Sequence, residues 1–448
     1  MSKKEAQNII NIELQNPFNP EMISVQIQNA QKFQELVENK KVSALMSEAP
    51  VINQKAYYLN LLLAYGHFKS RQGRVQKSKL FPQKSIQALI DTEFKKEEDL
   101  IYSLIFAAGN CFRQLMYNIA GNSIEIIKVK QLIWHACFGK SLYHAYLAKK
   151  LIRSHNILLI GGTGTGKELF ADVILDADYT GKGEEQNPAD RGNKIKINIA
   201  AIPENLIESE LFGHKKGAFT GASKDKEGAF GVSHNGIIFL DEIGDLPIHQ
   251  QVKILRVVEY GEVFKLGANK PKTVDVRIVS ATNQNVFNEE LFKPELLQRI
   301  GGTLIKIPPL SNRKSDIIAI GNRIYSKWVT KELNDEKGKF YGNNFSTYLK
   351  GLSTQNYDWP GNVRELENFI KKFLVGIEEE PEKVWGSLKK KCDISFPIGI
   401  INKTWSRKKL DSWYAKEVYE KEKSYKKTSD ILDVAENTAT KLVKNNDK

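Results

Sequence analysis

A glycine-rich loop is the segment of this sequence best suited to chemistry. Residues 161–168 read Gly-Gly-Thr-Gly-Thr-Gly-Lys-Glu and fit the pattern G-x-x-x-x-G-K directly after a short apolar run. Glycines let backbone N–H groups turn inward around phosphate oxygens, and the N-terminus of a following helix adds a favourable dipole. Lys167 is predicted to reach the β- and γ-phosphates of a nucleotide, while Glu168 stands where a magnesium-contacting Ser or Thr is usual. The predicted nucleotide-binding residues of the loop are Gly161, Gly162, Thr163, Gly164, Thr165, Gly166, Lys167 and Glu168.

A pair of carboxylates follows 74 residues beyond Lys167. Residues 236–242, Gly-Ile-Ile-Phe-Leu-Asp-Glu, combine an apolar strand pattern with an acidic end. In an ATPase with such a loop, the first carboxylate holds Mg²⁺, usually through water, and the second polarises the attacking water. We therefore predict that Asp241 organises Mg²⁺ and that Glu242 is catalytic. The alternative is a buried strand with a solvated acidic end, and the glycine-rich loop upstream argues against it.

The whole composition restricts where these groups can work. With 448 residues, 41% of them apolar and 27% charged, the sequence is typical of a soluble, globular protein of two to four domains. Its apolar runs are shorter than the ~20 residues of a membrane span, and the N-terminus lacks the apolar core of a secretory signal. The cysteines, Cys111, Cys137 and Cys392, fit neither a disulfide framework nor a zinc site, so we expect a cytoplasmic protein. A formal charge of +13 suits an anionic partner such as nucleic acid.

Alternating apolar runs predict the framework around the loop. Runs at 156–160, 195–199, 236–240 and 274–280 are separated by helical patterns, which indicates a parallel α/β sheet. The first 130 residues are predicted to be helical. One stripe at three- and four-residue spacing supports this, and its members are expected in the core: Ile101, Leu104, Ile105, Ala108, Phe112, Leu115, Met116 and Ile119.

Residues 135–375 resemble the bacterial enhancer-binding proteins, the AAA+ activators of sigma-54 RNA polymerase. A glutamate directly after the loop lysine is usual in that family. The most specific match is Gly-Ala-Phe-Thr-Gly-Ala at residues 217–222, the segment by which these activators contact sigma-54. Glycine hinges would let this loop rise or fold with two side chains at its tip. The resemblance implies sigma-54 contacts by Gly217, Ala218, Phe219, Thr220, Gly221 and Ala222.

Other matches to the family imply roles around the nucleotide. Asn198 corresponds to a switch asparagine that holds the catalytic glutamate, and Asn283 to a sensor of the γ-phosphate. Arg364 matches a lid arginine that contacts nucleotide. The segment that supplies arginine fingers to the adjacent subunit has Lys293 in place of its first arginine. Because lysine lacks the planar guanidinium fork, we expect Arg299 to be the main finger.

The C-terminal segment, 403–448, has the pattern of a helix-turn-helix. It resembles the DNA-binding end of the family, with Ile431, Leu432 and Val434 expected to pack the first helix and the turn. The predicted DNA-contacting residues lie on the second helix: Asn437, Thr438, Thr440 and Lys441. The alternative is a plain helical packing unit. At the other end, residues 1–130 match no common sensory module, and whether they bind a ligand, bind a protein or only pack on the motor stays open.

The expected fold class is α/β: an AAA+ P-loop ATPase core with a helical lid, a helical N-terminal region and a C-terminal helix-turn-helix. The predicted domains are a regulatory region (1–130), the ATPase subdomain (131–308), the lid (309–377), a linker (378–402) and the DNA-binding domain (403–448). The resemblance implies a ring, expected to be a hexamer, that uses ATP and Mg²⁺ to remodel sigma-54 RNA polymerase bound near enhancer DNA. The alternatives are an ATP-dependent scaffold on DNA and an AAA+ motor with a different target.

Overall fold

The structure is a computed structural model of the chain. It describes residues 3–21, 23–38, 46, 53–81, 84–181, 193–331, 342–355, 357–377, 381 and 406–444. The chain divides into two compact units, residues 1–381 and 382–448. The predicted linker at 378–402 lies outside the described residues apart from Pro381, and Cys392 lies outside them as well.

The N-terminal region is helical, as predicted. Its helices are α1 (Lys3–Glu13), α2 (Ile23–Glu38), α3 (Gln54–Gln72), α4 (Lys77–Leu80), α5 (Lys84–Glu93), α6 (Glu98–Arg113) and α7 (Ile124–Phe138). Small residues let α3 and α6 approach closely, because a Cβ at Gly66 would lie 2.4 Å from Ile105 and a Cβ at Gly109 would lie 2.1 Å from Ser70.

The predicted apolar stripe along α6 is buried over most of its length. A π-helical turn at Gln114–Asn118 then changes the direction of the side chains. As a result Leu115 is buried, whereas Met116 is 47% exposed. The prediction that Met116 belongs to the core was therefore wrong, and Phe112 is only half-buried.

A five-stranded parallel sheet forms the centre of the larger unit. Its strands are β1 (Ile157–Ile160), β2 (Lys194–Asn198), β5 (Ile237–Asp241), β8 (Arg277–Thr282) and β9 (Thr303–Lys306), in the order β2-β5-β8-β1-β9. The four predicted strands are confirmed, and β9 was not foreseen because its sequence, Thr-Leu-Ile-Lys, has only two apolar residues in a row. Since all five strands are parallel, their carboxyl ends meet at one edge of the sheet.

Shorter elements complete the α/β part. Two hairpins pair β3 (Gly213–His214) with β4 (Lys226–Glu227) and β6 (Glu262–Val263) with β7 (Lys272–Thr273). The helices are α8 (Leu142–Leu147), α9 (Lys149–Ser154), α10 (Lys167–Asp176), α11 (Glu204–Phe212), α12 (Ala229–Val232), α13 (Ile248–Tyr260) and α14 (Pro294–Ile300). The buried Arg277 joins the N-terminal helices to the sheet, because its Nη2 donates to the Ala136 carbonyl at 2.8 Å.

Helices follow the sheet, as predicted for the lid: α15 (Ile317–Lys331), α16 (Gly342–Thr354) and α17 (Asn362–Leu374). They pack around a separate apolar core that includes Trp359. The smaller unit contains α18 (Arg407–Glu422), α19 (Tyr425–Leu432) and α20 (Glu436–Lys444). There Ala439 and Thr428 are buried, but Ile431 is 52% exposed, so the prediction that Ile431 packs the first helix and turn was wrong.

Cys111 and Cys137 lie far apart in sequence but are neighbours in the N-terminal core. Both are buried and free. Burial raises the pKa of the Cys111 thiol, while a hydrogen bond with Cys111 lowers the pKa of Cys137. In the described parts of the chain, no helix is long and apolar enough to cross a membrane.

Candidate functional site

The phosphate loop, residues 161–166, joins β1 to α10 at the carboxyl edge of the sheet. The Gly161 N–H donates to the Thr282 carbonyl at 3.2 Å, which fastens the start of the loop to β8. Gly164 and Gly166 have φ of +76° and +101°, a region that side chains disfavour. The glycines therefore give the loop its curvature, and α10 presents its N-terminus to the interior of the curve.

Lys167 lies at the mouth of the phosphate loop. Its side chain is only 6% exposed, and its Nζ donates to the Gly161 carbonyl at 3.0 Å. The same nitrogen is 3.4 Å from Glu242 Oε1. The ammonium thus stands between the loop and the end of β5, where it can compensate the charge of a bound phosphate.

The two predicted carboxylates occupy the end of β5. Asp241 is its last residue, and Glu242 follows with φ of +52°, which turns the chain sharply away from the sheet. The Glu242 N–H donates to Asp241 Oδ1 at 3.1 Å. Burial, and then the negative charge of Glu242, raise the pKa of Asp241. A cation beside Asp241 would offset both effects, so the position fits a metal ion that nucleotide phosphates also hold.

A magnesium ion would need the nucleotide for most of its ligands. Over the described residues, no group of three or more His, Cys, Asp or Glu side chains could hold a metal ion. Glu168, in the position usual for a magnesium-contacting hydroxyl, is largely exposed and lies 3.4 Å from Lys196. Asp241 is thus the carboxylate best placed to orient such an ion, and phosphate and water oxygens would complete the shell.

Asn283 connects the carboxylate pair at the end of β5 to the phosphate loop. Its N–H donates to Glu242 Oε2 at 3.1 Å, and its Nδ2 donates to Thr163 Oγ1 at 3.1 Å. Asn198 ends β2 directly opposite Asp241 in the sheet register, and it is exposed. In the described contacts the Glu242 carboxylate meets Lys167 and Asn283 rather than Asn198.

The lid closes the phosphate loop from the other side. The Val363 N–H donates to the Gly164 carbonyl at 3.0 Å. Asn362, whose φ is +52°, donates from Nδ2 to the Thr163 carbonyl at 3.0 Å and accepts from the Leu310 N–H at 2.7 Å. Arg364 is exposed on α17, next to the loop.

Arg313 makes a further contact from the lid. Its side chain is buried, and its Nη2 donates to the Thr165 carbonyl at 3.1 Å, while burial lowers the pKa of the guanidinium. Sequence reasoning selected neither Arg313 nor Asn362. Asn362 lies two residues before Arg364 in the lid segment that resembles the family, so the sequence offered a way to find it. Arg313 lies in Leu310–Asp316, where no sequence motif pointed to a contact with the phosphate loop.

The predicted fingers, Arg299 and Lys293, lie on and just before α14. Arg299 is 59% exposed, and its Nε is 2.9 Å from Glu259 Oε1. Lys293 is half-buried, and its N–H donates to Gln251 Oε1 at 2.9 Å. Among the contacts that the structure describes, neither side chain reaches the phosphate loop of its own chain.

The contact loop, residues 217–222, projects from the hairpin between β3 and β4. The Gly217 N–H donates to the Ala222 carbonyl at 2.8 Å, so the loop closes on itself, and Ala222 is buried. Phe219 is 38% exposed and packs edge-to-face on His214, with ring centroids 5.0 Å apart. Thr220 and Gly221 are exposed. The loop presents its tip to solvent, with the partly exposed Ala218 beside it.

In the C-terminal unit, α19 and α20 are joined by a short turn with Asp433 at φ of +52°. Asn437, Thr438 and Lys441 are exposed on α20, which begins at Glu436. Thr440 is half-buried, and its Oγ1 donates to the Glu436 carbonyl at 2.8 Å. Three of the four predicted DNA-contacting side chains are thus open to solvent.

Known families match the central part of the chain. Residues 141–306 match the sigma-54 interaction domain, and residues 312–382 match the AAA+ ATPase lid domain. The chain is 40% identical over 262 residues to the DNA-binding transcriptional regulator NtrC of Proteus hauseri, covering 58% of this chain and 51% of that protein. It is 36% identical over 266 residues to the nitrogen fixation protein VnfA of Azotobacter vinelandii, covering 58% and 45%.

A protein named limonene hydroxylase, from Geobacillus stearothermophilus, is 38% identical over 253 residues, covering 55% of this chain and 43% of that protein. The chain spans about half the length of the curated relatives it matches. The match to the sigma-54 interaction domain, residues 141–306, contains the phosphate loop, the carboxylate pair and the contact loop, and the expected AAA+ core and lid are confirmed. The central part of the chain, residues 141–306 and 312–382, is thus a sigma-54 interaction domain followed by an AAA+ ATPase lid domain, in agreement with the resemblance to the bacterial enhancer-binding proteins.

Proposed function

We propose that the chain is a sigma-54-dependent transcriptional activator that hydrolyses ATP as a ring and uses the contact loop to remodel sigma-54 RNA polymerase. The observation that carries the proposal is the convergence at the mouth of the phosphate loop. There Lys167 Nζ stands 3.4 Å from Glu242 Oε1, and Asn283 bridges Glu242 to Thr163. One edge of the sheet thus brings together Lys167, a cation for phosphate; Glu242, a base for water; and Asn283, which joins Glu242 to the phosphate loop.

The chemistry follows from these positions. The loop N–H groups and Lys167 hold the phosphates of ATP, and Arg364 approaches them from the lid. Glu242 withdraws a proton from a water molecule. As it does so, the water oxygen bonds to the γ-phosphorus and the bond between the γ-phosphorus and the ADP oxygen breaks. Mg²⁺, oriented by Asp241, neutralises phosphate charge when bound. Asn283 relays the state of the γ-phosphate, and Asn198, on the neighbouring strand, is the proposed switch that captures Glu242.

The proposal that the chain assembles into a ring rests on the predicted arginine-finger segment, which contains Arg299 and Lys293. Arg299 is exposed and has no described contact with its own phosphate loop, so an adjacent subunit is the natural recipient of its charge. A hexamer is the expected ring. Lys293 contributes a point charge at the same face rather than a bidentate contact.

The output of the cycle is the contact loop. Phe219 and Thr220 at its tip are exposed, while Gly217 and Gly221 have left-handed φ values that a changing loop can leave or regain. We propose that nucleotide state raises this tip toward sigma-54. The smaller unit would hold the ring at upstream enhancer DNA through α20.

The direct test is open-complex formation in vitro with sigma-54 RNA polymerase, promoter DNA and ATP. The full chain should open a sigma-54 promoter only with hydrolysable ATP and should leave a promoter of another sigma factor closed. ATP hydrolysis without any opening would favour a DNA-bound scaffold or a motor with a different target.

Removal of residues 403–448 tests the DNA contact separately. The truncated chain should lose binding to the upstream site and keep most of its ATPase activity. Binding by the full chain should weaken steeply with salt because bound counterions are released from DNA. Unchanged DNA affinity after truncation would assign DNA contact to another surface.

A further inference from the structure

A pocket of about 370 Å³, open to solvent at Ile27 and Met116, lies among the N-terminal helices and has no part in the ATP chemistry above. Its wall is mostly apolar and includes Ile12, Phe18, Ile27, Phe112 and Met116. The rings of Phe18 and Phe112 are 5.8 Å apart at their centroids. Pockets of this size, apolar with a few convergent polar groups, are the usual form of small-molecule sites.

One of those polar groups is a buried ammonium. Lys130 lines the pocket and is 3% exposed. Its Nζ donates to the Gly121 carbonyl at 3.1 Å, the one hydrogen bond described for a group with three donors. Burial lowers the pKa of Lys130 to about 8. An under-satisfied cation in an apolar wall favours an anionic ligand.

The second polar group is an ion pair. Arg71 Nη1 lies 2.8 Å from Glu13 Oε1, and the guanidinium stands over the rings of Phe68 and Phe112 at 5.2 and 5.7 Å. Burial raises the pKa of Glu13 to about 7, against the opposing charge of Arg71. With Lys130, the pocket lining therefore has two cationic side chains and one carboxylate.

We propose that this pocket binds a small apolar carboxylic acid. Its carboxylate would pair with Lys130 and the outer edge of Arg71, and its aromatic or branched hydrocarbon part would lie against Phe18 and Phe112. A neutral ligand of the same shape would leave the Lys130 ammonium with the charge of Asp316, which lies outside the pocket lining, but with no ion partner from the ligand. The charge excess in the pocket selects against a cation.

The pocket is linked to the lid through residues 121–123. Asp316, 2% exposed, accepts the N–H groups of Asn122 and Ser123 at 2.8 Å each, and Asn122 also lines the pocket. Gly121, whose carbonyl holds Lys130, has φ of +114°, and a Cβ there would lie 2.7 Å from the Asp316 carboxyl group. Movement of Lys130 toward a ligand would therefore release the Gly121 carbonyl, which is next to the N–H groups that Asp316 accepts.

Asp316 belongs to the same short segment as Arg313, which donates to the Thr165 carbonyl in the phosphate loop. A continuous chain of contacts therefore runs from the pocket wall to the nucleotide site. Occupancy of the pocket should change nucleotide affinity, an expectation that rests on the proposed function.

Calorimetry on the full chain without nucleotide tests the pocket itself. The probes are phenylacetate and hexanoate, with phenylacetamide and hexanamide as neutral matches. Both carboxylates should bind saturably, with the amides at least about tenfold weaker, because charge-assisted hydrogen bonds are lost. Lys130→Met, which keeps the shape of the side chain, should weaken the carboxylates by a similar factor.

A second pair of variants guards against misfolding. Ile27 is 57% exposed at the pocket, and Ile124 is 63% exposed outside its lining. Ile27→Trp should fill the pocket and abolish binding, whereas Ile124→Trp should leave it at the parental value. The proposal is overturned when neither carboxylate binds the parent, or when Lys130→Met and Ile27→Trp bind as tightly as the parent.

The link to the nucleotide is tested by repeating the phenylacetate titration at saturating ADP. Coupling is reciprocal, so ADP should change phenylacetate affinity by about fivefold or more. Asp316→Asn should reduce that change, because the Asp316 carboxylate joins the pocket wall to the lid segment. Equal affinities with ADP demonstrably bound would refute the link; failure of ADP to bind would refute the proposed function and leave the calorimetric result on the pocket standing.

Discussion

The phosphate loop and the contact loop use glycine for opposite purposes. Gly164 and Gly166 have φ of +76° and +101°, and Gly217 and Gly221 have φ of +82° and +104°. The backbone requirement is therefore the same. The space differs, because a Cβ at Gly164 would lie 2.3 Å from the Gly361 carbonyl oxygen, whereas at Gly217 or Gly221 it would meet no described atom within 4 Å.

This difference shows which loop is fixed and which is free to change. The phosphate loop is held by β8 through Gly161 and by the lid through Thr163, Gly164 and Thr165. The contact loop is closed mainly by its own ends, with its aromatic side chain resting on His214. A rigid cradle suits preorganised phosphate binding, and a loop without tertiary restraint at its hinges suits a part that moves.

The sharpest contrast comes from alanine at matched glycines. Gly164→Ala should abolish nucleotide binding, because a left-handed alanine costs about 1–2 kcal/mol and the overpacking against the lid costs a further ~1–3 kcal/mol. Gly217→Ala has only the backbone cost of a left-handed alanine, because a Cβ there meets no described atom within 4 Å, and the variant should bind nucleotide like the parent. Fluorescent ADP titration and thermal unfolding of both variants measure the two effects. Equal losses of nucleotide affinity in the two variants would remove the distinction between the loops.

The arginine finger tests whether a neighbour completes the rigid loop. Arg299→Ala should reduce the ATPase rate by roughly 10³-fold or more, the lower end for fingers of P-loop enzymes. Lys293→Ala is the matched control and should reduce it less. Mixing Arg299→Ala with Glu242→Gln subunits should restore some activity where an intact finger meets an intact base. Full activity of a strictly monomeric chain would contradict the ring.

Glu242 and Lys167 separate chemistry from binding within the rigid site. Glu242→Gln should bind ATP normally and lower turnover by about 10²–10⁴-fold, because only the general base is lost. Lys167→Ala should lose binding as well, since phosphate charge is left uncompensated. Nucleotide titration with steady-state turnover distinguishes the two variants. Parental turnover by Glu242→Gln would show that another group activates the water.

Sequence alone located the parts of the site that one continuous segment carries. The glycine pattern at 161–167 and the strand ending in Asp241 and Glu242 have local signatures, and parallel pairing brings both to one edge. The hold of the lid on the loop was not foreseen. Arg313 and Thr165 are 148 residues apart in the sequence, and the residues around each position give no sign that the two residues meet in the fold.

The same limit explains the errors in the helical parts. Periodicity assigned Met116 to the core, but a π-helical turn rotated it outward into the wall of the pocket. Ile431 was expected to pack, yet α19 buries Thr428 and Ser429 instead. Cys111 and Cys137 share the core of the N-terminal region because α6 and α7 are both packed there. A local backbone irregularity or tertiary packing thus decided what the spacing of residues could not.

The central claim is that the contact loop turns hydrolysis into work on sigma-54 RNA polymerase, and Thr220→Ala with Phe219→Leu tests it most directly. Both side chains lie at the exposed tip, away from Lys167 and Glu242 in the described contacts. The measurement is paired: ATPase rate and yield of open promoter for each variant and the parent. We predict near-parental ATPase with little open complex, because without a contact that differs between nucleotide states the polymerase equilibrium cannot shift. Parental yields of open complex from both variants would contradict the account.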